Sequence, residues 1–108
     1  MLMEQNNHLL SLLSDREDID YVFLFEGYTI MVMKNGSNEV VDLPMARIEE
    51  LLKDRYFFRI HRSYLVNLKR IKELEIKNKQ LLIRMRGHHL PVARRRKKQL
   101  LDLLGAVN

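Results

Sequence analysis

Short segments rich in β-branched, aromatic and aliphatic residues follow one another along the chain, and they constrain the fold more than any other feature. Segments of this kind are typical of β-strands. Asn35-Gly36 predicts a hairpin, because both positions of a tight hairpin turn need positive φ, and Asn78-Lys79 predicts another turn. The predicted strands cover residues 20–26, 30–34, 39–43, 56–60, 64–68, 71–76 and 81–85, with a short extended piece at 90–93.

Short helices are predicted around these strands. Residues 1–18 are mostly polar apart from a group of leucines, so they form either a short amphipathic helix or the remnant of a linker. Pro44 fits the first position of a second helix, which has one apolar side. A third helix is predicted from about 94 to 104, stopped at Gly105. The chain is therefore predicted to be mostly β, with one domain at 19–108 after the N-terminal segment.

Composition excludes several classes of function. The 108 residues suit a single domain and include no cysteine, which excludes disulfides, thiolate metal sites and cysteine nucleophiles. No apolar run is long enough for a membrane span and no secretory signal is present, so a cytoplasmic protein without a membrane partner is expected. Without a phosphate-binding glycine loop or a catalytic motif, we predict no catalytic residue, cofactor or small-molecule substrate. His88-His89 lacks further ligands at suitable spacing, so no metal site is predicted.

Charge is divided unevenly between the two halves of the chain. Residues 1–54 contain four Lys+Arg and eleven Asp+Glu, whereas residues 55–108 contain fifteen and three. The halves therefore carry net charges of −7 and +12 within an overall charge of +5. Such an asymmetry within one domain indicates a polyanion-binding surface built mainly by the second half. The simpler alternative is a solvated surface whose charge is unevenly distributed but binds no polyanion.

Two clusters of polar and cationic residues stand out in the basic half. Residues 94–98 are five consecutive cations at the predicted start of a helix, where the helix dipole disfavours positive charge, so a phosphate partner is expected. His61-Arg62-Ser63 lies between two apolar strands and is predicted to connect them at one end of a sheet. Arg62 can bind guanine O6 and N7 or a phosphate, and Ser63 can donate to phosphate. For His61, the residues alone favour packing against the neighbouring strands.

These clusters belong to longer patterns that resemble a known family. Residues 57–68 (FFRIHRSYLVNL), followed by Ile71, resemble the signature of the LytTR-type DNA-binding domain, and residues 90–96 (LPVARRR) resemble its second signature. The acidic strand end at Glu26 and the hairpin and helix that follow it also lie where the family has them. The resemblance covers about residues 19–104. It implies an elongated arrangement of small, mainly antiparallel β-sheets with short helices.

The resemblance also implies a partner and a set of contact residues. The expected partner is double-stranded DNA in bacterial promoters, bound at paired direct repeats by loops in the major groove, with a homodimer at least on DNA. Base contacts are expected from Tyr28, Arg62 and Arg94. Backbone contacts are expected from Arg59, His61, Ser63, Asn67, Lys69, Arg95, Arg96, Lys97 and Lys98.

Some features depart from the family or leave other functions open. The family commonly has serine where this chain has Ala93, so a hydroxyl that could cap a helix or bind phosphate is missing. Members usually carry a receiver domain first, and residues 1–18 cannot be one, so the chain is a stand-alone regulator or a domain of a longer protein. The leucines and the acidic first half favour an alternative, a protein-interaction module that modulates a longer regulator. An RNA-binding protein would expose aromatics on a sheet face, yet the aromatics here mostly lie within apolar strands. Those of the first strands are predicted to be core residues, whereas Tyr28 is predicted in a loop beside Gly27.

Overall fold

The computed structural model describes residues 9–53 and 56–107, and within them the fold is mostly β, as predicted. Single turns of 3-10 helix occur at Arg16–Asp18, Leu68–Arg70 and Arg94–Arg96. The molecule is elongated, with principal extents of 46 × 29 × 24 Å. In chain order the elements are residues 9–14 (α1), Ile19–Phe25 (β1), Tyr28–Met33 (β2), Asn38–Val41 (β3), Met45–Leu51 (α2), Phe57–His61 (β4), Tyr64–Asn67 (β5), Glu73–Lys77 (β6), Gln80–Met85 (β7), His88–Pro91 (β8) and Lys97–Val107 (α3).

The strands form two antiparallel sheets. The large sheet has the order β3-β2-β1-β5-β4, and the small sheet has the order β6-β7-β8. All strand pairs are antiparallel, so short turns connect most neighbours. Strand β1 lies at the centre of the large sheet, between β2 and β5. As a result, the β1–β2 turn and the β4–β5 turn emerge at the same end of that sheet.

The tight turns agree with the prediction at Asn78-Lys79 and differ from it at Asn35-Gly36. Two-residue turns with both residues at positive φ occur at Glu26-Gly27, Asn78-Lys79 and Arg86-Gly87, which is the geometry that matches strand twist. The predicted hairpin at Asn35-Gly36 is confirmed, but the prediction that a tight two-residue turn closes it is wrong. There the Met33 amide donates to the Ser37 carbonyl at 2.8 Å, which closes a three-residue loop in which only Gly36 has positive φ.

One hydrophobic core lies between the two sheets and beneath α3. Side chains from one face of the large sheet meet the inner face of the small sheet and one buried leucine of α3. This packing removes from water the sides of the two sheets that face each other. It also holds α3 against the core through its buried leucine. Its principal members are Tyr21, Val32, Phe58, Ile60, Val66, Leu81, Ile83, Met85, Leu90 and Leu100.

A second core covers the opposite face of the large sheet. A bulge in β1 lets Ile19 pair with Met33 while Tyr21 pairs with Val32, so Ile19 and Tyr21 point to opposite faces. Two leucines of α1 are buried here together with the apolar side of α2. The N-terminal leucines therefore belong to the core of this chain. The main members are Leu12, Leu13, Ile19, Val22, Met31, Met33, Met45, Ile48, Leu52 and Leu65.

Several element boundaries correct the prediction. Pro44 is the N-cap residue of α2 rather than its first helical residue. Helix α3 starts at Lys97, after a 3-10 turn, and continues through Gly105 to Val107 instead of stopping at the glycine. Strand β6 begins at Glu73, two residues later than expected. Across residues 9–53 and 56–107, no helix has the length and apolar character that a membrane crossing requires.

A buried carboxylate connects the two sheets. The side chain of Asp20 in β1 is only 8% exposed. Its Oδ2 accepts from Nη1 of Arg86 at 3.0 Å, and its Oδ1 lies 3.7 Å from Nε of Arg70. The same Nη1 also donates to the Lys34 carbonyl at 3.0 Å. Arg86 belongs to the β7–β8 turn, so these contacts join the small sheet to the large one.

Candidate nucleic-acid interface

Two of the predicted contact segments meet at one end of the large sheet. The turn after β1 closes at the Phe25–Tyr28 pair. On the other side of β1, the amide of Leu24 donates to the carbonyl of Ser63 at 3.1 Å, in the β4–β5 turn. The two turns are therefore side by side. The predicted loop position of Tyr28 is wrong, because Tyr28 is the first residue of β2, directly after the turn.

The third segment reaches the same end along the edge strand β4. The amide of Ala93 donates to the carbonyl of Ile60 at 2.8 Å, immediately before the β4–β5 turn. The cations of residues 94–98 follow at once. We refer to Tyr28, residues 61–63 and residues 94–98 together as the contact edge. Residues separated by as many as 70 positions thus lie on one surface, and Tyr28, Arg62 and Arg94 are all exposed there.

Arg59 holds the β4–β5 turn in shape. Its Nε donates to the His61 carbonyl at 3.0 Å, and its Nη2 donates to the Arg62 carbonyl. Its Nη1 forms a salt bridge with Glu49 of α2 at 2.9 Å. The Arg59 side chain is only 15% exposed, and each of its nitrogens has an acceptor within the chain. The Arg59 guanidinium thus positions the backbone that carries Arg62, and a phosphate contact by Arg59 stays a prediction.

His61 also shapes this turn. Its Nδ1 accepts a hydrogen bond from the Ser63 amide at 3.1 Å, so the neutral imidazole carries its hydrogen on Nε2. Burial lowers the pKa of His61, and the positive charges of Arg62 and Arg59 lower it further. The neutral form is thereby favoured, and its Nε2–H is the group that can donate to a phosphate oxygen.

The bond between His61 and Ser63 predicts a pH dependence of stability. Because the folded pKa of His61 is lowered, its contribution is fully present above the unfolded value of about 6.5 and is lost as pH falls through the folded pKa. His61→Asn keeps an acceptor at the same position without titrating near neutral pH. Urea unfolding from pH 8 to pH 5 should show the wild type losing more stability than His61→Asn. If the free energy of unfolding changed equally with pH in the wild type and in His61→Asn, His61 would not be held in its neutral form.

The cations of residues 94–98 do not all face solvent. Arg94, Arg95, Lys97 and Lys98 are exposed. Arg96 is partly buried, with its guanidinium carbon 6.0 Å from the ring centroid of Phe58, and its Nε has no hydrogen-bond partner among the described residues. The aromatic contact identifies Arg96 as a residue that packs the segment onto β4. The four exposed cations remain available to phosphates.

The position before these cations lacks a helix cap. Ala93 is the N-cap residue of the 3-10 turn, and no side chain caps it. Ala93→Ser supplies a hydroxyl that can accept from an unpaired amide of the turn, so it should raise the free energy of unfolding by about 1 kcal/mol. Chemical denaturation measures this change. Ala93→Cys, of nearly equal size, is the control and should give no comparable gain, and equal effects of the two variants would refute the capping explanation.

Two predicted contact residues lie at the opposite end of β5. Asn67 is only 2% exposed. Its Nδ2 donates to the Ile19 carbonyl at 3.0 Å, and its Oδ1 accepts from the Lys69 amide at 3.0 Å. The prediction of a phosphate contact at Asn67 is therefore wrong. Lys69 places its Nζ 3.8 Å from the ring centroid of Tyr56 and does not reach the contact edge.

Phe25 is a surface residue, although its place in β1 predicts a core residue. It is 54% exposed, and its cross-strand partner Tyr28 is 61% exposed. Phe23 packs against the core between the sheets, whereas Phe25, two residues later, does not. Its position directly before a turn was the one signal available in the sequence. As for metals, among the described residues no group of three or more His, Cys, Asp or Glu side chains is arranged to hold an ion.

The fold and the contact edge define a small β-rich domain that presents turns and a cationic helix start on one surface. The family model of the LytTr DNA-binding domain matches residues 11–105, so the chain belongs to this family. The predicted resemblance is thus confirmed.

Individual relatives agree with this membership. The sensory transduction protein LytT of Bacillus subtilis is 35% identical over 92 residues, which are 83% of this chain and 38% of that protein. The transcriptional regulatory protein LytR of Staphylococcus aureus is 43% identical over 49 residues, which are 45% of this chain and 20% of that protein. The chain thus spans well under half the length of the curated relatives that it matches. A solved LytTr DNA-binding domain from Bacillus cereus has the same fold, with a TM-score of 0.72 and 24% identity over 82% of this chain and 83% of that one.

Proposed function

We propose that this chain is the sequence-reading module of a bacterial transcription regulator and that its contact edge binds duplex DNA in the major groove. In this proposal Tyr28, Arg62 and Arg94 contact bases. The exposed cations at 95, 97 and 98, together with His61 and Ser63, contact the DNA backbone. The observation that carries the proposal is the convergence of the β1–β2 turn, the β4–β5 turn and the start of α3 on one edge. Arg96 supports this edge by packing, and Arg59 supports it through hydrogen bonds.

The chemistry of this edge suits a duplex. Exposed arginines can bind guanine O6 and N7 or phosphate oxygens, and exposed lysines can neutralise phosphates. The two shorter dimensions of the domain are 29 and 24 Å, which are less than one turn of B-DNA at about 34 Å. Copies on direct repeats spaced by one helical turn would therefore fit side by side on the same face when a shorter dimension lies along the DNA axis. Paired direct repeats are part of the proposal on the basis of the family resemblance.

Selection of bound duplexes from a randomised DNA pool, at about physiological salt, tests the proposal. We expect one enriched motif, arranged as a direct repeat in the longer selected duplexes. Binding to that motif should weaken as salt rises, with a log–log slope of about 0.9 per phosphate neutralised. Selection without enrichment, combined with binding that disappears at moderate salt, would show that the edge recognises charge alone. Displacement of the selected duplex by an equal concentration of structured RNA would favour an RNA-binding protein instead.

The alternative function as a protein-interaction module loses its main support. It depended on the leucines near the N-terminus, and Leu12 and Leu13 are buried in the second core. Those two side chains are therefore occupied within this chain. Leu10, at 61% exposed, is the one leucine of this group that lies on the surface in the described part of the chain.

A further inference from the structure

The contact edge carries an apolar element between its two turns. Phe25 at the end of β1 and Tyr28 at the start of β2 are directly opposite each other, so their side chains share one face of the sheet. Phe25 is 54% exposed and Tyr28 is 61% exposed. Leu24, beside them, is 36% exposed. An exposed aromatic pair at the tip of a hairpin gains nothing from the core of this molecule.

The strand register places Phe25 between the two turns. On one side it pairs with Tyr28. On the other side, β1 pairs with β5 up to Phe23 and Tyr64, and the bond from the Leu24 amide to Ser63 continues this pairing. Phe25 is the next residue of β1, so it lies beside the β4–β5 turn that carries Arg62. Tyr28, Phe25 and that turn are therefore adjacent at this edge.

An aromatic strip runs along this face of the sheet from the core to the surface. The Tyr21 and Phe23 ring centroids are 5.9 Å apart, and those of Phe23 and Tyr64 are 6.4 Å apart at an interplanar angle of 18°. Phe25 lies two residues after Phe23 on the same face of β1. Tyr21 is buried and Phe23 and Tyr64 are partly buried, so the strip begins in the core and its last member faces solvent.

We propose, on the basis of the function proposed above, that Phe25 reads thymine through its C5-methyl group. In the major groove the thymine methyl is the apolar feature that distinguishes base pairs, and apolar side chains such as phenylalanine contact it. Arg62, in the adjacent β4–β5 turn, can bind a neighbouring guanine. The edge would then prefer a thymine close to the guanine that Arg62 reads. Phe25 acts here as a specificity-determining residue, whereas the exposed cations supply affinity.

Replacement of thymine by deoxyuridine tests this inference, because it removes only the methyl group. Each thymine of the selected duplex is replaced in turn, and affinity is measured with the full 108-residue chain. We expect at least one replacement to weaken wild-type binding about fourfold, the loss expected for one buried methyl. Phe25→Ala should bind the thymine duplex more weakly and should no longer distinguish thymine from deoxyuridine at that position.

A matched control separates this contact from general apolar exposure. Ile76 in β6 is 68% exposed and lies on the small sheet, away from the contact edge. Ile76→Ala should keep the wild-type sensitivity to deoxyuridine. A wild type indifferent to every replacement, or a Phe25→Ala variant that keeps the full sensitivity, would overturn the inference while leaving DNA binding intact. Failure to select any motif would instead overturn the proposed function, and this inference with it.

Discussion

Arg62→Ala is expected to weaken binding to the selected duplex by about 5- to 150-fold, the range for losing one good arginine–guanine contact. The same variant should bind unrelated duplexes almost as well as the wild type does. Arg62 lies in the two-residue β4–β5 turn, and Arg59 fixes the backbone of that turn. The Arg62 side chain therefore extends into solvent from a fixed backbone position. Titration of wild type and variant against both duplexes measures the difference. The variant should also discriminate less between bases at one base-pair position of the selected motif.

Arg95→Ala provides the comparison for that variant. Arg95 is exposed on the same edge, but its proposed partner is a phosphate, which carries no sequence information. Its removal should weaken binding to both duplexes equally and reduce the salt slope by about 0.9. If Arg62→Ala behaves in this same way, Arg62 contacts the DNA backbone and not a base.

Arg86→Met is expected to lower the free energy of unfolding by about 3 kcal/mol, the cost of leaving a buried charge without its partner. The variant removes the bond from Nη1 to Asp20, whose side chain is 8% exposed, and the bond to the Lys34 carbonyl. Arg70 remains, but its Nε lies 3.7 Å from the Asp20 carboxylate. Urea unfolding monitored by circular dichroism gives the change, provided that the slope with denaturant stays constant.

Arg84→Met is the control two residues away. Arg84 forms a salt bridge with Glu73 at 3.1 Å, but both side chains are 55% exposed. Exposed pairs of this kind contribute less than about 1 kcal/mol. Adding Asp20→Asn to Arg86→Met should recover part of the lost stability, because the unpaired charge is then removed. Equal losses for Arg84→Met and Arg86→Met would show that Asp20 does not need Arg86.

The class of the fold and the cationic segments of the contact edge could be predicted from the sequence alone. Local patterns of β-branched and aromatic residues predicted strands close to β1, β4, β5 and β7, because the period of a strand is visible in a few residues. Turn chemistry predicted Asn78-Lys79 correctly. The division of charge and the two family signatures pointed to Arg62 and residues 94–98, since solvated cations need no tertiary context to be recognised.

The role of each of these side chains follows only from the folded arrangement. Arg59 and Arg62 have the same chemistry in the sequence, yet Arg59 is 15% exposed and bonded within the chain, whereas Arg62 is exposed. Phe23 and Phe25 share one face of β1, but Phe23 packs against the core and Phe25 is 54% exposed. Asn67 has a polar side chain that is bonded internally at the opposite end of the sheet. Burial and hydrogen-bond partners depend on residues distant in the chain, so no local pattern contains them.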